Sequence, residues 1–172
     1  MIELEKTFLA KSLPSSLSSC PTKEIIDIYI PEQFEHPKIR IRQNGHKFEI
    51  TKKEPLEDNP SEMLEQTINI TLEEFNQLQK LPGKKIHKIR YLYNHDGQTA
   101  EFDIFQDKLY GLVIIDFEFD SIDKKTAFTM PEFCLCDITK EQFTAGGMIC
   151  GKSYEDIENK LDSFGYKKLS LS

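Results

Sequence analysis

Apolar and polar residues alternate with a period of two through much of this chain, and that is the signature of strands with one buried face. Ile2 to Leu9 alternates apolar and charged residues. Lys23 to Pro31 is β-rich, and Lys38 to Gln43 sets Ile39 and Ile41 against Arg40 and Arg42. Asn44-Gly45 then reads as a hairpin turn, with Lys47 to Lys53 as the returning strand. Glu54 to Ser61 holds two prolines and reads as an acidic loop, followed by a strand from Leu64 to Ile70. Lys85 to Tyr93 and Thr99 to Phe105 flank a second turn, Asn94 to Gly97, and Leu109 to Phe119 is a long apolar strand.

Helix signals are fewer. Thr71 with Glu74 has capping-box spacing, and Pro82-Gly83 ends that helix near Leu81. Short helices are expected over Ser121 to Phe128 and Thr139 to Phe143. A terminal amphipathic helix is expected from Ser153 to Phe164, with Gly165 as its C-cap. Lys11 to Cys20, with Pro14 and five serines, reads as a loop or a short turn of helix. No repeat or composition shift marks a boundary, so residues 1–172 are expected to form a single domain. The fold class expected is α+β, mainly antiparallel β. About eight strands are enough to close into a barrel with helices packed outside.

The polar halves of these strands are unusual. Like charges stand two residues apart in Glu3/Glu5, Arg40/Arg42, Lys88/Arg90, Glu101/Asp103 and Asp116/Glu118. Each pair puts two like charges side by side on one strand face, which is costly without an opposite charge nearby. Ile2 and Leu4, Ile39 and Ile41, Ile89, Phe102 and Ile104, Phe117 and Phe119 form the other faces, and those must be buried. A sandwich would turn the charges to water; a barrel wrapped by helices would turn them inward. Five strands of unmixed sign favour inward-facing sets. A divalent cation relieves the carboxylates, and phosphate relieves the bases.

The whole-chain numbers narrow the field. With 172 residues, 38% hydrophobic, Phe 12 and Tyr 6, the chain can bury a sizeable core. A net charge of −7 argues against a nucleic-acid surface but leaves room for a local basic pocket. No apolar run approaches the roughly 20 residues that span a bilayer, and Met1 to Lys6 is not a signal peptide, so a cytoplasmic location with no membrane partner is expected. Cys20, Cys134, Cys136 and Cys150 do not form a disulfide or zinc pattern. His36, His46, His87 and His95 are scattered, with no nucleophile in a hydrolase setting. Gly146 to Ser153 fits the phosphate-loop expression, but a short helical segment precedes it where a strand is required, so it reads as a tight connection into the last helix.

The order of these motifs resembles the CYTH superfamily, the triphosphate tunnel metalloenzymes. Glu3-Leu4-Glu5-Lys6-Thr7-Phe8-Leu9 is similar to the family's E-x-E-x-K strand, and Arg40-Ile41-Arg42 to its R-x-R strand. Thr51-Lys52-Lys53, Lys88-Ile89-Arg90, Glu101-Phe102-Asp103, Asp116-Phe117-Glu118-Phe119 and Asp137-Ile138-Thr139 follow in the family's order, covering about residues 1 to 150. The resemblance implies an eight-stranded closed β-barrel, the triphosphate tunnel. It also implies metal-dependent hydrolysis of tripolyphosphate or a small organic triphosphate, with Mg²⁺ or Mn²⁺ as cofactor and a monomer or homodimer as the working form.

In that picture Glu3, Glu5 and Lys53 are catalytic, and Arg40, Arg42, Lys53, Lys88 and Arg90 bind substrate. Glu3, Glu5, Glu65, Glu101, Asp103, Asp116 and Glu118 hold metal. The chain departs from the pattern in three places. Thr7 stands where the family has lysine, with Lys6 turned to the other face, while Met63 and Thr67 replace an arginine and a carboxylate beside Glu65. These departures keep two alternatives open, a triphosphate-binding module without turnover and an adenylate cyclase of the same fold.

Overall fold

The computed structural model describes residues 4–56 and 59–171, with the side chains of 55–63 left aside. Among these residues there are nine strands: β1 (Glu5–Ala10), β2 (Thr22–Ile30), β3 (Ile39–Asn44), β4 (Lys47–Leu56), β5 (Asn59–Ile70), β6 (Lys84–His95), β7 (Gln98–Phe105), β8 (Val113–Glu118) and β9 (Cys134–Asp137). They form one sheet in the order β5-β4-β3-β2-β6-β7-β8-β1-β9. The pairings β1–β8, β1–β9, β2–β3, β3–β4, β4–β5, β6–β7 and β7–β8 are antiparallel. Four helices accompany them: α1 (Leu72–Leu78), α2 (Ile122–Ala127), α3 (Gly146–Ile149) and α4 (Tyr154–Ser163). None of these is long and apolar enough to cross a membrane.

The α+β, mainly antiparallel class is as expected; the eight-stranded closed barrel is not. The ninth strand, β9, pairs with β1 through Phe8↔Asp137 and Leu9↔Cys136. The strand order has two ends, β5 and β9, so the hydrogen-bonding pattern of the described residues leaves the sheet open. Of the expected acidic loop, residues 54–56 and 59–61 belong instead to β4 and β5, which pair from Phe48↔Ile70 out to Leu56↔Asn59, while Glu57 and Asp58 lie outside the described residues. The expected helix at Thr139 is a 3₁₀ turn over Gln142–Thr144.

The chain divides into two compact units. One contains Glu24–His87 and Phe143–Gly151; the other contains Leu4–Lys23, Lys88–Gln142 and Lys152–Leu171. In the first, the apolar faces of β2, β3 and β4 are covered by α1. Phe75 packs with Ile28 and Ile41, and its ring centroid stands 5.0 Å from that of Phe48. The capping box read from sequence is present: Glu74 N–H donates to Thr71 Oγ1 at 3.2 Å, and Thr71 N–H donates to Glu74 Oε2 at 2.7 Å. Two orphan donors at the helix start are satisfied together.

In the second unit the apolar faces of β1, β7 and β8 meet an aromatic core. Phe8, Phe102 and Phe117 are fully buried, with Phe128 and Phe133 packed against them. Phe8 and Phe117 meet edge-on at 5.9 Å. The β6–β7 turn places Asp96 and Gly97 at φ 51° and 84°, the two left-handed residues of a tight hairpin, as the Asn94–Gly97 signal foretold. The last segment is tied down by Tyr166, whose hydroxyl donates to Gly111 O at 2.7 Å and accepts from Val113 N–H at 2.8 Å.

Gly146 is glycine for a packing reason. A Cβ there would come within 1.9 Å of the Tyr29 hydroxyl, and Tyr29 is buried in the first unit. The glycines of the phosphate-loop-like stretch thus serve close approach. α3 has only four residues, and a 3₁₀ turn, not a strand, precedes it. Gly146→Ala is expected to lose about 1–3 kcal/mol by overpacking, read as a fall of several degrees in melting temperature, with Gly165→Ala, at an open position, as the comparison for backbone strain alone.

Candidate active site

Strand periodicity gathers the charged residues of each unit onto one face. In the first unit the register Tyr29↔Arg40 and Asp27↔Arg42, with Arg40↔Thr51, Thr51↔Thr67 and Lys53↔Glu65, puts these side chains together. In the second, Arg90↔Asp103, Glu101↔Asp116, Thr7↔Asp116 and Glu5↔Glu118 do the same. Much of these faces is closed to water: Asp27, Thr51 and Asp103 are buried, and the Arg42 and Arg90 side chains are each 16% exposed, whereas Glu118, at the end of β8, is exposed. The sandwich arrangement with solvated charges therefore does not describe them.

The first unit carries the basic wall. Arg42 donates from Nε to Asp27 Oδ1 at 2.6 Å and from Nη2 to Asp27 Oδ2 at 2.7 Å, a planar two-point pair. Arg40 is different. Its guanidinium hydrogen-bonds to Tyr29, its buried Nε lacks a hydrogen-bond partner, and no carboxylate among the described residues makes an ion pair with it. Burial and then the Asp27 charge push the Tyr29 hydroxyl up to about 12, so it stays protonated. Lys53 lies 2.6 Å from Glu65. Burial works to raise the Glu65 carboxyl, but Lys53 and, behind it, Arg40 and Thr67 bring it below its ordinary value. Glu65 is thus an ionised partner of Lys53.

The second unit carries most of the carboxylates. Asp103 accepts from Lys88 and twice from Arg90, at 2.6 Å to Nε and 2.8 Å to Nη2. Burial opposes its ionisation, yet Lys88 and Arg90 hold its carboxyl below the usual range. Arg90 also donates to Glu101 and stands 3.5 Å from Asp116. Burial disfavours the Arg90 cation, but Asp103, Glu101 and Asp116 together bind its proton more tightly than usual. The basic and acidic pairs of this unit therefore neutralise each other across strands.

The neutralisation is incomplete. Burial, with Asp103 and Glu5 adding repulsion, pushes the Asp116 carboxyl up to about 6. Burial also raises Glu101; Arg90 pulls it back, and Glu118, Asp103 and Asp116 push it up again. Thr7 Oγ1 donates to Asp116 Oδ1 at 2.8 Å, so Thr7 supplies a neutral hydrogen bond and no charge. Lys6 points to the other face, 3.5 Å from Asp137, as its parity predicts.

Hard oxygen donors with raised proton affinity match the chemistry of a divalent cation. Among the described residues, however, no three His, Cys, Asp or Glu side chains already converge as a cage. Glu3 lies outside the described residues, as do the side chains at Met63 and its neighbours. The Cys134-Leu-Cys136 pair holds buried or half-buried thiols, with Cys134 pushed up to about 12 by burial and then by Cys136. His87 pairs with Glu24 at 3.0 Å.

Sequence reasoning missed Asp27 and Tyr29. Their signal was their spacing: two apart in an isoleucine-rich strand, opposite the arginines once β2 and β3 are paired.

Asp116 yields a pH prediction. Its folded-state pKa is raised from 3.8 to about 6, so between those values the native state binds a proton that the unfolded chain releases. Its contribution to stability is therefore greatest at acid pH and declines as pH rises through 6. Asp116→Asn keeps an acceptor for Thr7 and removes the charge. Its melting temperature is expected to equal the parent's near pH 4 and to exceed it at pH 7.5, measured by thermal denaturation across that range.

Comparison with known proteins bears on the same residues. A family model described as the CYTH domain matches residues 6–129. An inorganic triphosphatase of Nitrosomonas europaea is 28% identical over 145 residues, 83% of this chain and 92% of that protein. A crystal structure of an inorganic triphosphatase has a TM-score of 0.64 at 23% identity, covering 86% of this chain and 93% of that one. A putative adenylate cyclase from Bacillus halodurans has a TM-score of 0.54 at 15% identity, covering 99% and 94%. At those identities the two structures speak for the fold alone. The family match spans well over half of the sequence and takes in all but the first of its charged pairs, and by that match the chain belongs to the CYTH family.

Proposed function

We propose that this chain is a metal-dependent triphosphatase acting on inorganic tripolyphosphate or a small organic triphosphate, with residues 1–172 working as one domain. The observation that carries the reading is the unequal charge on the two buried strand faces. One leaves Arg40 without a carboxylate partner among the described residues; the other crowds carboxylates until Asp116 holds its proton to about pH 6. The first asks for an anion and the second for a cation. An anion and a cation together are what a triphosphate carried with Mg²⁺ or Mn²⁺ consists of. The inorganic triphosphatase of Nitrosomonas europaea, aligned over most of both chains, supports that substrate class.

Arg40, Arg42 and Lys53, with Lys88 and Arg90, bind and orient the phosphates, arginine through its planar fork. Glu5, Glu101, Asp116 and Glu118, with Glu3, are the residues that would hold the cation. Such an ion supplies charge neutralisation and a water of lowered pKa. Asp103 and Glu65 stand closer to the bases than to that role, because each is already tied to a lysine or arginine. Arg42, Lys88, Arg90, Glu101 and Asp116 are largely withdrawn from water, which strengthens their charge–charge interactions.

The Thr7 hydroxyl bound to Asp116 favours one second reading, triphosphate binding without turnover, because the family's lysine is absent from that place.

Purified protein offered tripolyphosphate, thiamine triphosphate or ATP with Mg²⁺ or Mn²⁺ is expected to release phosphate from at least one of them. Tight binding with no product would establish the second reading, and cyclic AMP with pyrophosphate from ATP would establish a cyclase. Arg40→Gln is expected to raise KM about tenfold or more, in line with the roughly 1.5–3 kcal/mol of a hydrogen bond to a charged group. Glu5→Gln is expected to raise the metal concentration for half-maximal activity without changing the melting temperature by more than a few degrees. Parental kinetics in both variants would remove these residues from the site.

A further inference from the structure

Both arginines of β3 are placed on the phosphate wall of the proposed site, but their surroundings differ. Arg42 faces Asp27, which is only 2% exposed and meets it with both carboxylate oxygens, at 2.6 and 2.7 Å. Arg40, two residues away on the same face, meets the neutral Tyr29 hydroxyl and no carboxylate among the described residues. The register explains the difference: β2 places Asp27 directly across from Arg42 and Tyr29 directly across from Arg40. One strand thus treats two like charges in opposite ways.

A two-point carboxylate–guanidinium pair fixes the plane of the guanidinium as well as its place. It also cancels most of its charge, and a carboxylate this deeply buried would be costly to leave alone. Neither effect is required to pack the apolar core, since Asp27 lies on the face opposite Ile28 and Ile41.

We propose that Asp27 is a positioning residue of the proposed triphosphate site: it orients the Arg42 guanidinium and neutralises it, so that Arg40 supplies the net positive charge of β3 that a phosphate meets. The division rests on the triphosphate reading of this wall. Asp27 touches no substrate in this scheme. It sets the direction from which Arg42 can donate, and it limits how strongly the wall attracts anions in general.

The test uses the full chain and tripolyphosphate, with Mg²⁺ for turnover and without metal for calorimetric binding. Asp27→Asn keeps the shape and one acceptor but removes the two-point carboxylate pair of Arg42, with Glu49 of β4 still across from it. Its expected signature is a split: KM and the metal-free dissociation constant fall about three- to tenfold, while kcat falls at least tenfold because the guanidinium is no longer oriented. Binding by this variant should also weaken more steeply as salt is raised, since the wall gains one unit of net positive charge. A purely structural Asp27 would lower the melting temperature and leave KM, salt dependence and affinity at parental values; that outcome overturns the proposal.

Should Asp27→Asn fail to fold, Asp27→Glu retains the charge and displaces the guanidinium. It is then expected to lower kcat at least tenfold with KM near the parent's, and a parental kcat would overturn the proposal equally. If the parent chain itself neither binds nor hydrolyses tripolyphosphate, the triphosphate reading fails first and this inference falls with it. A parent that binds, beside an Asp27→Asn variant indistinguishable from it, refutes the positioning role alone.

Discussion

The structure depends on compensating charge that has been taken out of water. Each strand of the sheet has an apolar face that must be covered, and covering it commits the other face to hold what remains, namely arginine, lysine, aspartate and glutamate. Removing such groups from water costs several kcal/mol per ion unless partners are supplied. The chain supplies them across neighbouring strands. Asp27 answers Arg42, Glu65 answers Lys53, and Asp103 answers both Lys88 and Arg90. Antiparallel register brings each pair into contact without any loop having to reach in.

Compensation is strong where these pairs form and weak in two places. Around Arg40 there is positive charge in excess; around Asp116 and Glu101 there is negative charge in excess. The same register that stabilises most of the face thereby marks what it leaves unbalanced. Stability and ligand affinity draw on one set of interactions, so a substitution among these residues changes both unless it preserves the local charge.

Much of this was legible in the sequence because strand parity is strict. The period of two assigned Arg40, Arg42, Lys88, Arg90, Glu101, Asp103 and Asp116 to polar faces, and it turned Lys6 away from Thr7, as the structure has it. The capping box at Thr71 and the turn at Asp96-Gly97 were legible because each rests on contacts within a few residues. Long-range choices were not. Nothing local says that β9 pairs with β1, nor that Pro55 lies within the β4–β5 ladder. The larger misjudgement was electrostatic. Like-charged pairs read along one strand seemed to require a ligand for relief, whereas the neighbouring strand, invisible to a one-dimensional reading, already relieves Lys88 and Arg90. Asp27 escaped notice for the same reason, since its meaning appears only when β2 lies beside β3.

The hydroxyl of Thr7 stands beside Asp116 as a neutral donor to a carboxylate whose proton affinity is raised. A hydroxyl fills one lone pair and adds no charge, so the ion pairs of Glu101 and Asp116 rest on Arg90, which also serves Asp103. One guanidinium is thus divided among three carboxylates, and that sharing, not any single pair, sets how much negative charge this corner presents.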